Sequence, residues 1–191
     1  MKKLNEVVVF FKRILKRFIY RMRGEYTVDD LVKMGLTVGK NFNPQLHVTL
    51  DPSHCWLITI GDNVTIAPDV QVLAHDASTC AHLGYAKIGR VNIGNNVFIG
   101  AGSIILPGVS IGDNVVVGAG AVVSRSLDEG YVYAGNPAKK ICSIDEFCNK
   151  NKELMQTVPV YGEEYTLRAG ISDEKKNEQK KALENSVGFV K

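Results

Sequence analysis

The most constraining feature of this chain is a hydrophobic repeat with a period of six residues. Aliphatic side chains recur at every sixth position from Ile60 to Val72 and again from Ile93 to Val123. This period fits neither the 3.6-residue turn of an amphipathic helix nor the two-residue alternation of a strand. A fixed internal period of this kind is the sequence signature of a solenoid, in which each turn of the chain stacks on the one before.

A five-residue phrase occurs four times and indicates where the solenoid turns its corners. Each copy reads aliphatic residue, Gly, any residue, Asn, and then Val or Phe. The copies begin at Val38, Ile60, Ile93 and Ile111. The last two lie eighteen residues apart, so the pattern predicts a triangular coil with three short strands per turn. Asn tolerates the positive φ of a tight corner, and we therefore assign a corner to the Asn of each copy: Asn41, Asn63, Asn96 and Asn114.

The chain divides into three predicted regions. Residues 1–35 contain a basic amphipathic helix within the first 23 positions, followed by a short helix that Thr27 caps and Gly35 ends. Residues 36–141 form the solenoid. Residues 142–191 form a helical and irregular tail, with helices expected over 143–155 and 172–186, which is too polar to build a second core.

The basic segment and the cysteines bear on where the protein acts. Residues 1–23 carry eight basic side chains and one acidic one, which favours packing on the protein or docking on an anionic inner membrane face. Its apolar stretch is too short for a secretion signal or a membrane span. The four cysteines, without Cys-x-x-Cys spacing, are typical of free cytosolic thiols. We expect a cytoplasmic protein, peripheral to the membrane at most, without a nucleic-acid partner.

One turn of the solenoid is interrupted by extra residues, and this interruption is the predicted active region. Ile93 lies twenty-one positions after Val72, which is not a multiple of six, and the excess forms an outward loop at 77–87. Loops on a rigid scaffold often carry function. His75 and Asp76 stand at its root, and a histidine beside a carboxylate is a candidate general base. We predict that His75 accepts a proton and that Asp76, or a carboxylate from elsewhere, orients its ring.

The repeats, the loop that follows a histidine and the closing phrase 134–141 together resemble the hexapeptide-repeat acyltransferases. Within that superfamily, the chain is most similar to sugar and polysaccharide O-acetyltransferases of the maltose and galactoside type, over residues 36–141. The resemblance implies an all-β solenoid, a left-handed parallel β-helix, assembled as a homotrimer with active sites between protomers. It also implies acetyl-CoA as co-substrate, no required metal, and a hydroxyl of a sugar or glycan as acceptor. The sequence contains no nucleophilic serine or cysteine motif, which favours direct transfer, and if the basic helix docks on a membrane, a lipid-linked glycan becomes a candidate acceptor.

The resemblance also implies roles for individual residues. Ala101 and Ala119 would line the pantetheine arm of CoA, Ser124 and Arg125 would lie near its nucleotide end, and Lys139 would meet a phosphate. In the galactoside type the catalytic histidine sits slightly later in its coil and is followed by Pro. His82, inside the loop, is therefore an alternative base.

Further residues and functions stay open at this point. Asp51, Trp56 and His82 are candidates for the acceptor site, although corner and packing roles also suit Asp51 and Trp56. Serine acetyltransferase and nucleotide-sugar N-acetyltransferase are alternative activities on the same repeats. A carbonic anhydrase of this scaffold needs three histidines on zinc, and the spacing of the histidines here does not match it: His47, His54, His75 and His82. A noncatalytic glycan-binding solenoid would need no histidine beside a loop.

Overall fold

The computed structural model describes Leu15, Met22 and residues 25–191. The basic helix predicted within residues 1–23 lies outside the described residues, apart from those two positions, and stays a prediction. The chain forms two compact units, Met1–Cys142 and Ser143–Lys191. Within the described part of the chain, no helix has the length and apolar character needed to cross a membrane.

The first unit opens with the short helix α1 (Val28–Lys33). The hydroxyl of Thr27 accepts a hydrogen bond from the backbone N–H of Asp30 and donates one to the Asp30 carboxylate. Both partners predicted for the cap are therefore in place. The chain then turns at Gly35, whose φ of 112° suits glycine and whose missing Cβ leaves room for Trp56.

Short strands in the first unit form three sheets, here called sheets 1, 2 and 3. Sheet 1 contains β1 (Thr37–Val38), β4 (Ile58–Ile60), β9 (Val91–Ile93) and β12 (Ser110–Ile111). Sheet 2 contains β2 (Asn43–Pro44), β5 (Thr65–Ile66), β10 (Phe98–Ile99), β13 (Val116–Val117), β15 (Tyr131–Ala134) and β16 (Lys139–Ser143). Sheet 3 contains β3 (Thr49–Leu50), β6 (Gln71–Val72), β11 (Ile104–Ile105) and β14 (Val122–Val123). From β1 to β14 the chain visits the three sheets in rotation, making four circuits whose strands pair in parallel.

The register of these strands follows the sequence repeat. Ile99 pairs with Val117 and Ile105 with Val123, as the eighteen-residue offset predicts. Every side chain of the six-residue series is buried: Ile60, Ile66, Val72, Ile93, Ile99, Ile105, Ile111, Val117 and Val123. Burying one such side chain stabilises a fold by about 1.5–3 kcal/mol, so this aliphatic column contributes strongly to the stability of the unit.

The four asparagines of the repeated phrase form a ladder at one corner. Their φ angles lie between 54° and 56°, as predicted for corner residues. Each side-chain amide donates to the next along the ladder: Asn41 to Asn63 at 2.9 Å, Asn63 to Asn96 at 3.1 Å and Asn96 to Asn114 at 3.2 Å. The ladder thus satisfies exposed polar groups and aligns successive circuits.

The predicted outward loop is an arm, residues 75–88, that leaves the second circuit after sheet 3. Its base is the antiparallel pair β7 (His75–Asp76) and β8 (Lys87–Ile88), and its outer part contains the helical turn α2 (Cys80–Leu83). The backbone N–H of Gly89 donates to Ala74 at 3.0 Å and closes the base. The chain then enters β9 and resumes the repeat.

The second unit contains two helices and one strand pair. Helix α3 (Ile144–Met155) begins at a capping box in which Ser143 and Glu146 bond each other's backbone N–H groups. Helix α4 (Asp173–Ala182) is shorter than the predicted 172–186. The segment predicted to be irregular contains β17 (Val160–Tyr161), which pairs in parallel with β18 (Phe189–Val190), and two 3-10 turns, Glu163–Tyr165 and Leu167–Ala169.

Candidate active site

Two insertions converge at the end of sheet 3. The Asn ladder shows successive offsets of 22, 33 and 18 residues, so the first two circuits are longer than the regular one. In the first circuit the extra residues follow β3 and include a 3-10 turn at Cys55–Leu57. In the second they form the arm after β6. Because Leu50 pairs with Val72, the residues that leave these two strands emerge side by side.

Asp51, directly after β3, holds His75 at the root of the arm. The Asp51 Oδ2 atom lies 2.5 Å from His75 Nδ1 and also accepts the backbone N–H groups of Ala74 and His75, both at 2.9 Å. Its Oδ1 accepts the backbone N–H of Ser53 at 3.0 Å. The Asp51 side chain is 1% exposed, whereas that of His75 is 33% exposed. A buried carboxylate therefore fixes an imidazole that still reaches solvent.

The surroundings of Asp51 favour its ionised form. Burial alone would raise the pKa of Asp51, but the hydrogen bonds from His75 and from the backbone N–H groups of Ala74 and Ser53 outweigh it and hold the pKa below its ordinary value. An ionised carboxylate can only accept, so the His75 ring donates its Nδ1–H to Asp51. The lone pair of a neutral imidazole is consequently left on Nε2. This arrangement suits a general base, because Asp51 also stabilises the imidazolium that forms on proton uptake.

The insertion after β3 adds two further rings beside this pair. The ring centroid of His54 lies 5.3 Å from that of His75 and 5.2 Å from that of Trp56. Trp56 is 55% exposed, so it offers an apolar surface next to the imidazoles. Trp56, predicted as an acceptor-site candidate, therefore lies in the same cluster as His75, with His54 between them.

Of the two options predicted for orienting His75, Asp76 or a carboxylate from elsewhere, the structure has the second, and Asp76 does not contact the ring. Asp76 accepts the backbone N–H of Ser78 at 2.8 Å and is exposed, whereas Asp51 bonds the His75 ring. The physical reason is the alternation of a strand: neighbouring residues in β7 project to opposite faces. Asp51, considered for the acceptor site or a corner, is instead the buried partner of His75. His82 lies in α2 of the arm and is exposed.

The residues implied for CoA binding fall at two different corners. Ala101 and Ala119 are exposed and stacked at the corner between sheets 2 and 3, where the N–H of Gly120 donates to Ala101 at 2.8 Å. The closing phrase lies over the same corner: the N–H of Val122 donates to the carbonyl oxygen of Gly135 at 3.0 Å, and the N–H of Ala138 donates to that of Val122 at 2.8 Å. Lys139, the next residue of the phrase, is exposed.

Ser124 and Arg125, by contrast, follow β14 and are exposed, at the end of sheet 3 opposite the Ala101 and Ala119 corner. They share that end with His75, which follows β6 in the same sheet, two strands away. At about 4.8 Å per strand this is a separation of about 10 Å. Within one chain, sheet 3 therefore separates the Ala101 and Ala119 corner from the His75 corner.

Sequence reasoning missed the role of Asp51 and the presence of His54 in the cluster. The signal for Asp51 was available: the first two copies of the repeated phrase are 22 residues apart, which places Asp51 level with position 73, beside the root of the arm. No comparable signal existed for His54, since it lies in an insertion whose path the repeat does not determine. The other histidine beside a carboxylate, His47, contacts Asp69 at an exposed corner.

Comparison with known proteins identifies the family. Residues 90–125 match the family described as bacterial transferase hexapeptide (six repeats). The chain is 43% identical over 143 residues to Protein CapG of Staphylococcus aureus, a match that covers 71% of this chain and 81% of CapG.

Two solved structures are also similar. A maltose O-acetyltransferase from Clostridium difficile 630 is 41% identical, with a TM-score of 0.52 and coverage of 58% of this chain and 59% of that one. A hexapeptide-repeat acetyltransferase from Vibrio cholerae O1 biovar eltor, solved with acetyl coenzyme A, is 28% identical, with a TM-score of 0.51 and coverage of 58% and 61%. The chain belongs to the hexapeptide-repeat acyltransferases and is similar to their sugar O-acetyltransferases.

Proposed function

We propose that the protein transfers an acetyl group from acetyl-CoA to a hydroxyl group of a sugar or glycan. The observation that carries this proposal is the His75 imidazole, partly exposed and held through Nδ1 by the buried Asp51 carboxylate. The similar maltose O-acetyltransferase supports a sugar acceptor, and the similar enzyme solved with acetyl coenzyme A supports the donor.

In the proposed reaction, His75 Nε2 removes the proton from the acceptor hydroxyl as its oxygen attacks the thioester carbonyl carbon. The C–S bond then breaks, the acetyl group stays on the acceptor oxygen, and the CoA sulfur leaves and receives the proton from the imidazolium. Asp51 keeps the ring in place and stabilises its positive charge between these two proton transfers. General base catalysis of this kind contributes about 10²- to 10⁴-fold in rate.

Direct transfer is favoured over a covalent acetyl-enzyme. The sequence contains no nucleophilic serine or cysteine motif, and Cys55, four residues after Asp51, is fully buried with its Sγ 3.6 Å from the carbonyl oxygen of Leu31. A buried thiol bonded in this way is a poor nucleophile, because the thiolate is the reactive form. The acceptor oxygen itself is therefore the proposed nucleophile.

We also propose that the four circuits close into a left-handed parallel β-helix and that three copies assemble. The support is the separation of the predicted residues across sheet 3: Ala101, Ala119 and Lys139 belong to one corner, and His75 belongs to the next. In a trimer, the corner of one protomer that binds the donor would face His75 of its neighbour. Ser124 and Arg125, near His75, would then serve the nucleotide end of the CoA from the second protomer.

The decisive experiment measures thiol release from acetyl-CoA by wild type, His75→Ala and His82→Ala with a panel of acceptors. We expect His75→Ala to lose at least a hundredfold in turnover and His82→Ala to stay near wild type. Unchanged turnover in His75→Ala refutes the assignment, and a selective loss in His82→Ala transfers the role of base to the arm.

The acceptor panel separates this activity from its alternatives. Maltose, galactosides and amino sugars would be compared with serine, and mass spectrometry of the products would distinguish esters from amides. Acetylation of serine or of an amino group alone would replace sugar O-acetylation by one of the other transferase activities. Absence of acetyl-CoA binding in calorimetry would favour a noncatalytic module.

Membrane attachment through residues 1–23 is a separate part of the proposal, supported by their basic composition. A lipid-linked glycan at the inner face of the membrane would then be an accessible acceptor. Flotation with vesicles tests it: we expect binding to anionic vesicles that weakens with salt, and binding to neutral vesicles alone, or to none, rejects it.

A further inference from the structure

Three metal-ligand groups converge where the two insertions meet. One carboxylate oxygen of Asp51 and one ring nitrogen each of His54 and His75 lie within 4.8 Å of one another. Two imidazoles and a carboxylate match the preferences of zinc and related ions, whereas calcium and magnesium prefer oxygen ligands alone. We propose that Asp51, His54 and His75 bind a divalent transition-metal ion, for which zinc is the suitable probe.

The state of His54 independently points to a missing ligand. Its Nδ1 atom is buried and makes no hydrogen bond within residues 25–191. A buried polar atom without a partner costs free energy, and each such atom calls for an explanation. Nothing in the proposed acyl transfer uses His54, since the base is His75 and its positioning partner is Asp51. A metal ion bound through Nδ1 would give the imidazole of His54 the partner that the described residues do not provide.

The geometry requires only a small adjustment. Zinc bonds to nitrogen are about 2.1 Å long, so two ligands of one ion lie at most about 4.2 Å apart. The ligand atoms of Asp51, His54 and His75 lie up to 4.8 Å apart, which exceeds this separation by roughly half an ångström. Asp51 is fixed by the N–H groups of Ser53, Ala74 and His75, and His75 Nδ1 already lies beside Asp51 Oδ2. The ion would therefore replace the proton on His75 Nδ1, and rotation of the His54 ring would bring its nitrogen to the site.

Metal binding and base catalysis exclude each other at His75. If the ion binds Nε2, it takes the lone pair that accepts the acceptor proton. If it binds Nδ1, the neutral ring carries its proton on Nε2 and again has no lone pair there. Zinc bound at this site is therefore an inhibitor of acetyl transfer, and this consequence rests on the proposed function.

The test is calorimetric titration of zinc into the full-length protein after removal of metals with a chelator, using wild type, His54→Gln and His47→Asn. His47 is the matched control, because it also contacts a carboxylate, Asp69 at 3.2 Å, but at an exposed corner outside the cluster. Its φ of 58° is one that Asn tolerates. We expect one zinc per chain in wild type and His47→Asn, and an affinity at least tenfold weaker in His54→Gln.

Turnover is measured in the same proteins with and without zinc. We expect zinc to inhibit wild type, and His54→Gln to remain active and to need at least tenfold more zinc for the same inhibition. Absence of zinc binding in wild type, or binding that survives unchanged in His54→Gln, overturns the site. Binding that depends on His54 but leaves turnover unaffected supports the site and instead refutes His75 as the base.

Discussion

Replacing Asp51 by asparagine is expected to lower kcat by about a hundredfold. The carboxylate and the imidazolium that forms on His75 carry opposite charges, and two unit charges about 4 Å apart attract by about 4 kcal/mol at an effective dielectric constant near 20. A third of the His75 side chain is exposed, and screening by this solvent reduces the attraction to about 3 kcal/mol. Since each 1.36 kcal/mol corresponds to about a factor of ten in rate, the expected loss is about 10².

Asparagine is the appropriate change because it preserves most of the local hydrogen bonding. Its carbonyl oxygen can still accept the three N–H groups that converge on Oδ2. Its amide group then faces the N–H of Ser53, which loses its acceptor at a cost of about 1–3 kcal/mol. Thermal denaturation measures this cost, and the assay is run well below the melting temperature of the variant.

Asp76→Asn is the matched control, because Asp76 is the neighbouring carboxylate and is exposed. Thiol release from acetyl-CoA is measured for both variants at saturating donor and acceptor. Turnover of Asp51→Asn within about threefold of wild type would refute the electrostatic role of Asp51. An equal loss in Asp76→Asn would show that the orienting carboxylate had been assigned wrongly.

Three further predictions concern the donor site, the corners and the helix cap. Lys139→Ala is expected to raise KM for acetyl-CoA with kcat nearly unchanged. Lys140→Ala should alter KM less, because Lys140 lies 3.4 Å from Asp128 and over the Tyr131 ring. Equal effects of the two substitutions would refute a specific role of Lys139. Asn96→Ala places alanine, a residue that disfavours positive φ, at φ 54° and breaks the ladder. Denaturation should therefore show a free energy of unfolding lower by about 1–3 kcal/mol, and Asn96→Gly should lose less. Hydrogen bonds from the Ser143 backbone N–H and, second, from its hydroxyl lower the pKa of Glu146 below its ordinary 4.5. The contribution of this cap to stability is therefore full above that value and is lost as pH falls through the lowered pKa. An NMR titration giving an ordinary or raised pKa for Glu146 would contradict this.

The regular part of the fold was predictable from sequence because it depends on local spacing. The six-residue series specifies which side chains stack, and Asn63 or Asn96 specifies where the backbone must turn. Both consequences are present in the strand register and in the positive φ angles. The short length of α4, which ends at Ala182, was harder to foresee because a polar helix without a buried face has few packing contacts that define its end.

The site was predictable only where the repeat reaches it. His75 was singled out from its place at the root of the interruption, and its partner was predicted to be the neighbouring Asp76 or an unnamed carboxylate from elsewhere. The actual partner, Asp51, comes from the preceding circuit, and only the 22-residue offset reveals that the two meet. His54 lies in an insertion without repeat spacing, so its position depends on tertiary contacts that a single sequence does not encode in a readable pattern.

The closed base of the arm allows the sequence of the arm to vary without disturbing the repeats. Because β7 pairs with β8 and Gly89 bonds Ala74, the chain re-enters the scaffold at the same point whatever length of polypeptide lies between. Residues 77–86 can thus be exchanged for those of a relative without displacing the aliphatic column or the contact between Asp51 and His75.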